Sequence, residues 1–263
     1  IDIGSTTMSA QICDLNSGEV LSVSGMMNPQ IRFGEDLMSR VSYGFMNEGG
    51  AEELTKAVQN GLQELIEKAS KQEGLNVQDI FEIVLVGNPV MHHLVLGIDP
   101  VELGGAPFAL TLDTAVNCLA QEVGLRFNAA TRVYLLPCIA GHVGADAAGA
   151  VLAEALQDSE EITLLIDIGT NAEIILGNCH HLMAASSPTG PAFEGAQISS
   201  GQRAAVGAIE RVRINPNNYE PIYKVIGSDQ WSDSADFLKE VKKTGLTGIC
   251  GSGIIEIIAE MYL

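Results

Sequence analysis

The chain has 263 residues, 46% of them hydrophobic, and its 33 acidic against 14 basic side chains give a formal net charge of -19. This length accommodates one large domain, or two domains of about 130 residues that each bury a core. The charge argues against binding to nucleic acid or anionic membranes, and no apolar run of about 18 residues indicates a membrane span.

The cysteines are five in number, widely spaced and without a C-x-x-C pair: Cys13, Cys118, Cys138, Cys179 and Cys250. An odd, dispersed set argues against a disulfide framework and against an iron–sulfur cluster held within this chain. No secretion signal precedes the first strand. We therefore expect a cytoplasmic protein with reduced, mostly buried thiols.

The first half predicts three strands followed by alternating helices and strands. The strands are expected at 1–4, 8–14, 19–27, 81–88 and 131–137, and the helices at 35–46, 52–71, 90–96 and 144–156. A turn at Leu15–Gly18 joins the second and third strands, and apolar residues at helical spacing support the helix at 52–71.

The second half starts with the same pattern. Strands are expected at 161–169, 172–178, 180–186, 211–214 and 222–226, a Gly-rich loop with a short helix at 187–210, and helices at 234–243 and from 248 onward. IDIGSTT at Ile1 is repeated as IDIGTNA at Ile166. The repeat predicts a duplicated fold, with a first half at 1–157 that carries an inserted segment. We expect a second half at 158–263 that is incomplete at its C-terminus.

The repeated turn has the residues that a phosphate site needs. An Asp at the carboxyl end of a buried strand, followed closely by Gly, places a carboxylate beside backbone N–H groups that no side chain blocks. Such a turn can hold phosphate on its amides and hydroxyls while the Asp binds hydrated Mg²⁺. A third element, Gly248-Ile249-Cys250-Gly251-Ser252-Gly253, begins a helix whose free N–H groups allow a nucleoside or phosphate to approach.

These three motifs resemble those of the superfamily of actin, sugar and acetate kinases and heat-shock ATPases. The phosphate motifs are Asp2, Gly4, Ser5, Thr6 and Thr7 in the first copy and Asp167, Gly169, Thr170 and Asn171 in the second, and the adenosine motif is Gly251, Ser252 and Gly253. The resemblance implies an α/β fold of two ribonuclease-H-like halves around a nucleotide cleft. It implies ATP and Mg²⁺ as cofactors, with Asp2 and Asp167 as catalytic residues that contact the magnesium through water.

The segments between the motifs are similar to the ATPase region of the reductive activators of corrinoid proteins. They are NPQIRFGEDLMSRV at 28–41, VGNPVMHHLVLGIDP at 86–100, LPCIAGHVGADAAGA at 136–150 and SSPTGPAFEGAQISSGQRAAVGAIERV at 186–212. This resemblance covers nearly the whole chain. It implies an ATPase that drives an electron onto the Co(II) corrinoid of a methyltransferase system, giving Co(I), with the iron–sulfur domain outside these residues.

Three alternatives stay open on the sequence. A small-molecule kinase would use the same ATP motifs with a catalytic base near the γ-phosphate. An activator of 2-hydroxyacyl-CoA dehydratases would hold a cluster between two subunits, for which Cys138 and Cys179 are the candidate ligands. A nucleotide-switched scaffold would need no turnover. A homodimer is also left open.

Other polar residues carry weaker expectations. Asp146 lies on the helix expected between the halves and is a candidate for magnesium-bound water. Glu173 and Glu194 are candidates for orienting water or metal, with plain loop carboxylates as the competing interpretation. The pairs His92-His93 and His180-His181 are expected to be packing or surface residues, because adjacent side chains diverge on a helix or strand.

Overall fold

The computed structural model describes residues 1–169, 171–189 and 198–262. The chain forms two compact units. The first contains Ile1–Asp167 and Glu173–Ser186, and the second contains Ile168–Ala172 and Ser187–Leu263.

A six-stranded sheet with the order β3-β2-β1-β4-β6-β5 is the centre of the first unit. Its strands are β1 (Asp2–Ile3), β2 (Thr7–Cys13), β3 (Val20–Met27), β4 (Glu82–Gly87), β5 (Val116–Leu119) and β6 (Arg132–Leu135). The first three strands are antiparallel, whereas β4 is parallel to both β1 and β6. Burial alternates along β2, where Met8 and Ala10 face the core, as the two-residue period of a strand requires.

Four helices belong to the first unit. They are α1 (Leu37–Met46), α2 (Gly50–Gln72), α3 (Pro89–Val95) and α4 (Ala145–Ala153). Helix α1 begins where the Asp36 side chain accepts a hydrogen bond from the Ser39 N–H at 2.7 Å. Helix α2 buries an apolar stripe that includes Leu54, Val58 and Leu62 against the sheet, and this packing forms the main hydrophobic core.

A second sheet, in the order β7-β8-β9, consists of β7 (Thr163–Ile168), β8 (Asn171–Asn178) and β9 (His181–Pro188). A small core with Val143, Ala147 and Ile175 joins α4 to this sheet. Leu164 and Ile166 on β7 are exposed. The expectation that each repeated Asp follows a buried strand is therefore wrong for the second copy.

In the part of the second unit that the structure describes, a three-stranded sheet packs with two helices. The elements are β10 (Ala208–Ile214), β11 (Pro221–Val225), α5 (Phe237–Thr244), β12 (Gly248–Ile249) and α6 (Gly251–Tyr262). Strand β10 lies in the middle, antiparallel to β11 and parallel to β12.

The predicted α/β fold is confirmed, and the predicted elements in the described residues are present with small shifts at their ends. Strand β5 was not expected, and neither was β12, which lies where the prediction has the last helix beginning at 248. The cysteines differ from expectation as well, because Cys13 and Cys179 are exposed while Cys138 and Cys250 are buried. Residues 190–197 of the Gly-rich segment, with Glu194, lie outside the described residues, and the described parts at 187–189 and 198–210 contain no helix. Among the described residues, no helix is both long and apolar enough to cross a membrane.

Candidate functional site

The first phosphate turn links β1 to β2. Strand β1 ends at Ile3, which pairs with Met8, and Gly4–Thr6 form the turn between them. A side chain at Gly4 would place its Cβ 2.4 Å from the Thr7 carbonyl oxygen, so the turn closes only around glycine. Thr6 is buried, whereas Thr7 is exposed.

Two Asn-Pro pairs support this turn from the protein side. The Asn28 side chain accepts the Gln30 N–H with its oxygen at 2.9 Å and donates its amide to the Gly4 carbonyl at 2.8 Å. The Asn88 side chain accepts the Met91 N–H at 3.0 Å and donates to the Ser5 hydroxyl at 3.4 Å. Each asparagine thus caps a helix and fixes the turn at the same time.

The second phosphate turn has a simpler support. The Gly169 N–H donates to the Asn171 carbonyl at 2.8 Å, and the Thr189 hydroxyl donates to the Gly169 carbonyl at 2.6 Å. A Cβ at Gly169 would make an ordinary contact of 3.5 Å with the Asn171 carbonyl oxygen. Thr170, the remaining predicted residue of this turn, lies outside the described residues.

Four carboxylates of the first unit interact electrostatically. Burial raises the pKa of Asp2, and the charge of Asp167 raises it further, although both side chains remain accessible to water. Burial raises the pKa of Asp146 to about 6, and the charges of Asp2 and Asp167 add to this effect. Burial and then the charge of Asp146 raise the pKa of Glu173 to about 7, against a hydrogen bond donated by the Ser186 hydroxyl at 3.1 Å.

The start of α4 explains why Asp146 belongs to this group. A Cβ at Gly144 would lie 2.5 Å from the Gly87 carbonyl oxygen and 2.6 Å from the Asn88 Cα, so the helix begins directly against the carboxyl end of β4. Strand β4 pairs with β1 there, through Ile3 and Gly87. Close packing of small residues therefore places the Asp146 carboxylate next to the first phosphate turn.

The adenosine motif lies at the amino end of α6. Gly251 and Gly253 are buried and Ser252 is exposed. A Cβ at Gly253 would lie 2.6 Å from the Ile209 carbonyl oxygen, so close packing of α6 on β10 is sufficient reason for that glycine. Its role in ligand binding stays a prediction.

Carboxylates of α6 bind the backbone of β10. Glu256 accepts the Val212 N–H at 2.7 Å, and Glu260 accepts the Ile214 N–H at 3.0 Å. Glu256 also pairs with Arg211 at 2.6 Å. These contacts fasten the helix along the strand.

The histidine pairs are divided between core and surface. His93 is buried, with Nδ1 placed 2.9 Å from the Pro89 carbonyl while Nε2 accepts the Thr111 N–H at 3.1 Å. His92 is also buried, and burial lowers the pKa of its ring to about 4, against a weak contact with the Leu136 backbone. His180 and His181 are exposed.

The structure also bears on the two cysteines weighed as cluster ligands. Cys138 is buried, and burial raises the pKa of its thiol to about 12. Cys138 therefore lacks the exposure that a ligand at a subunit interface needs, whereas Cys179 is exposed.

In the first unit the charge of Asp167 acts on Asp2, Asp146 and Glu173, and the role of Asp2 and Asp167 at a nucleotide stays a prediction. Among the described residues, no group of three or more His, Cys, Asp or Glu side chains is arranged to bind a metal ion directly. Contact with a metal through water, as predicted for Asp2 and Asp167, would need no such direct ligand set.

The fold and these turns define an α/β protein of the actin-like ATPase class. Family models match both halves: the RACo middle region matches residues 1–159, and the C-terminal domain of RACo, the ASKHA domain, matches residues 161–263. The chain belongs to the RACo family.

Individual relatives agree with this assignment. The chain is 35% identical over 261 residues to the corrinoid activation enzyme RamQ of Eubacterium limosum, covering 99% of this chain and 41% of that protein. It is 24% identical over 275 residues to the [Co(II) methylated amine-specific corrinoid protein] reductase of Methanosarcina barkeri, covering 98% and 49%. A solved structure of a reductive activator for corrinoid,iron-sulfur protein has a TM-score of 0.84 and 39% identity, covering 99% of this chain and 39% of that one. The chain thus spans less than half the length of these relatives.

Proposed function

We propose that this chain is the ATP-binding and ATP-hydrolysing part of a protein that reduces a Co(II) corrinoid protein to Co(I). One electron would pass to the cobalt from a reduced iron–sulfur cluster outside these residues. The single observation that carries the proposal is the group of interacting carboxylates at the first turn, in a chain whose relatives are named for corrinoid activation.

The residues of the first unit fit a nucleotide with a divalent cation. Raised pKa values at Asp2, Asp146 and Glu173 show that their charged forms are poorly compensated in the protein alone. A divalent cation beside Asp2 and Asp167 would remove much of that repulsion. Gly4 keeps a side chain away from the backbone of the first turn.

Each motif then has a role in this proposal. The amides and hydroxyls at 4–7 and 169–171 would hold phosphates, Gly251, Ser252 and Gly253 would receive the nucleoside, and Asp2 and Asp167 would hold magnesium-bound water. Glu173, whose pKa is about 7, would accept a proton from a water molecule close to the phosphates or would orient that water molecule. When bound, Mg-ATP supplies the free energy of hydrolysis.

Coupling to the corrinoid protein follows from differential affinity. A nucleotide can change the conformation of this chain only by binding one conformation more tightly than another. If the corrinoid protein prefers the same conformation, the two ligands strengthen each other's binding by an equal factor. The proposed partner, which the names of the relatives support, is a corrinoid protein of a methyltransferase system, and its affinity should depend on nucleotide.

Calorimetric titration tests this proposal. A Co(II) corrinoid protein from the same cell is titrated into the chain with and without Mg-ATP, for the unsubstituted chain, for Asp167→Ala and for Asp158→Ala. Asp158 is an exposed carboxylate nine residues before Asp167 and serves as the matched control. We expect nucleotide-dependent binding that only Asp167→Ala abolishes. Tight Mg-ATP binding with no corrinoid partner in either state would overturn the corrinoid assignment.

A further inference from the structure

Arg40 on α1 is a buried cation that has no carboxylate in hydrogen-bond contact among the described residues, and only the more distant charge of Asp36 acts on it. Its relative exposure is 0%, and it takes part in none of the ion pairs that the described residues form. Arginine is rarely buried completely unless an acid pairs with it, because desolvation of the charge is costly. In a chain with 33 acidic residues, such an arginine needs an explanation.

The acceptors that the described residues offer to the guanidinium are all neutral. Nε donates to the Gly34 carbonyl at 3.0 Å, and Nη1 donates to the Gln30 side-chain oxygen at 3.3 Å. Nη1 also lies 3.6 Å from the Met91 sulfur, and Nη2 donates to the Ser5 carbonyl. Burial lowers the pKa of Arg40 to about 10, so the side chain keeps its charge at neutral pH.

The contact with Ser5 links this charge to the first phosphate turn. A trans peptide unit directs its C=O and N–H to opposite sides. Arg40 holds the Ser5 carbonyl on the protein side, which turns the Thr6 N–H to the other side. Asn28 holds the Gly4 carbonyl in the same way, which turns the Ser5 N–H. Two consecutive amides of the turn are therefore oriented by buried side chains.

We propose that Arg40 is a positioning residue for polyphosphate binding at the first turn. It fixes the peptide units of the turn so that their N–H groups meet phosphate oxygens, and its unpaired charge attracts the same phosphates through a medium that screens poorly. This inference rests on the proposed nucleotide function. It gives a residue of α1, which lies outside the phosphate and adenosine motifs, a role in nucleotide binding.

The test compares ligands with different numbers of phosphates. Arg40→Met, Arg40→Lys and the control Arg32→Met are titrated calorimetrically with ATP, ADP and adenosine, each in the presence of Mg²⁺. Arg32 is exposed and lies eight residues before Arg40. We expect Arg40→Met to weaken ATP binding at least tenfold, ADP binding less, and adenosine binding not at all. Arg40→Lys should restore part of the ATP affinity, and Arg32→Met should match the unsubstituted chain.

A second measurement needs no variant, and it covers the case in which Arg40→Met does not fold. Amide hydrogen exchange of the unsubstituted chain is followed at Ser5 and Thr6. ATP should protect both amides, and adenosine should protect neither. Bound ATP without protection at these amides would overturn the proposal.

The outcomes separate this inference from the one it rests on. If the unsubstituted chain binds no ATP, the nucleotide function fails and the role of Arg40 fails with it. If the unsubstituted chain binds ATP while folded Arg40→Met binds it equally well, only the role of Arg40 fails. Equal weakening of ATP, ADP and adenosine would show a general structural effect and would also overturn the proposal.

Discussion

The two copies of the phosphate turn are built alike but supported differently. In each copy, the residue directly after the third strand donates a side-chain hydrogen bond to the turn glycine: Asn28 follows β3 and binds the Gly4 carbonyl, and Thr189 follows β9 and binds the Gly169 carbonyl. The first copy adds Arg40 and Asn88 beneath Ser5. The two copies thus share the position of one support, and among the described residues the buried cation Arg40 supports the first copy.

The largest effect on ATP turnover is expected when the repeated aspartates of the two turns are replaced. Asp2→Asn and Asp167→Asn should each reduce ATP turnover by about 10–100-fold, because each removes a charge predicted to hold magnesium-bound water. The measurement is phosphate release at saturating Mg-ATP. The control Asp158→Asn should retain full turnover, and an Asp2 variant with unchanged turnover would contradict a symmetric role for the two copies.

Asp2→Asn, although it should reduce ATP turnover, should not reduce the stability of the folded chain. The raised pKa of Asp2 means that its charged form is unfavourable in the folded chain. Replacement by a neutral amide should therefore preserve or raise the melting temperature without nucleotide, which calorimetry can measure. A large fall in melting temperature would show that the Asp2 charge stabilises the fold.

Replacement of the two turn glycines by alanine should affect stability and ATP affinity to different extents. Gly4→Ala forces a Cβ to within 2.4 Å of a backbone oxygen and should cost roughly 1–3 kcal/mol of the free energy of unfolding. Gly169→Ala meets only an ordinary contact of 3.5 Å and should leave stability within about 0.5 kcal/mol. ATP affinity should nevertheless fall about tenfold in Gly169→Ala, a change of ~1.4 kcal/mol, because a methyl group would stand where phosphate approaches.

Chemical denaturation and calorimetry of both glycine variants check these expectations. Gly177→Ala would be a poor control, because its Cβ would lie 2.0 Å from a carbonyl oxygen. Gly105→Ala is a better one, because no atom lies within 4 Å of a Cβ there. Unchanged ATP affinity in Gly169→Ala would place the phosphates elsewhere.

Removal of the two equivalent supports should lower the free energy of unfolding by different amounts. Asn28→Ala removes a buried side chain that both caps a helix and holds the Gly4 carbonyl, and it should lower the free energy of unfolding by about 1–3 kcal/mol. Thr189→Val removes one hydroxyl from a half-buried residue and should cost about 0.5–1.5 kcal/mol. Urea denaturation measures both, and equal costs would contradict the stronger anchoring of the first copy.

The smallest expected effect is a pH dependence at Glu173. Its pKa is about 7 in the folded chain against an ordinary value of 4.5, so between these values the folded state binds more protons than the unfolded state. Stability should therefore fall as the pH rises through this window and stay low above it. In Glu173→Gln the decrease in melting temperature across this pH window should be smaller by roughly 2–4 °C, which corresponds to about 1 kcal/mol.

Melting curves in EDTA at pH 5 and pH 7.5 provide the measurement. Glu161→Gln, at an exposed position, is the matched control and should keep the dependence of the unsubstituted chain. An equally steep fall in Glu173→Gln would show that the burial of this carboxyl has little influence on stability.

Patterns that act locally were readable in the sequence. Helix α2 follows from its apolar spacing, and the strand–turn–strand repeat follows from IDIGSTT and IDIGTNA. Strand β5 was missed because it has only four residues and is held mainly by its antiparallel pairing with β6. Its own residues show neither alternation nor a long apolar run.

The supports of the first turn were missed for a different reason. Asn28 and Asn88 each precede a proline, which indicates helix capping, but nothing local shows that the opposite end of each amide reaches the turn. Arg40 carried a signal that could have been used: it lies one residue before the buried Val41, on the inward face of α1. A charged residue on an inward helical face predicts a buried polar contact, whose partner only the tertiary structure identifies.

The carboxylate contacts between α6 and β10 have a mechanical consequence. Because Glu256 and Glu260 bind successive outward N–H groups of one strand, the helix cannot slide along that strand without breaking charge-assisted hydrogen bonds. A displacement of Gly251 would therefore be transmitted through α6 to β10. A nucleoside bound at this glycine, as proposed, would shift the helix and the strand together.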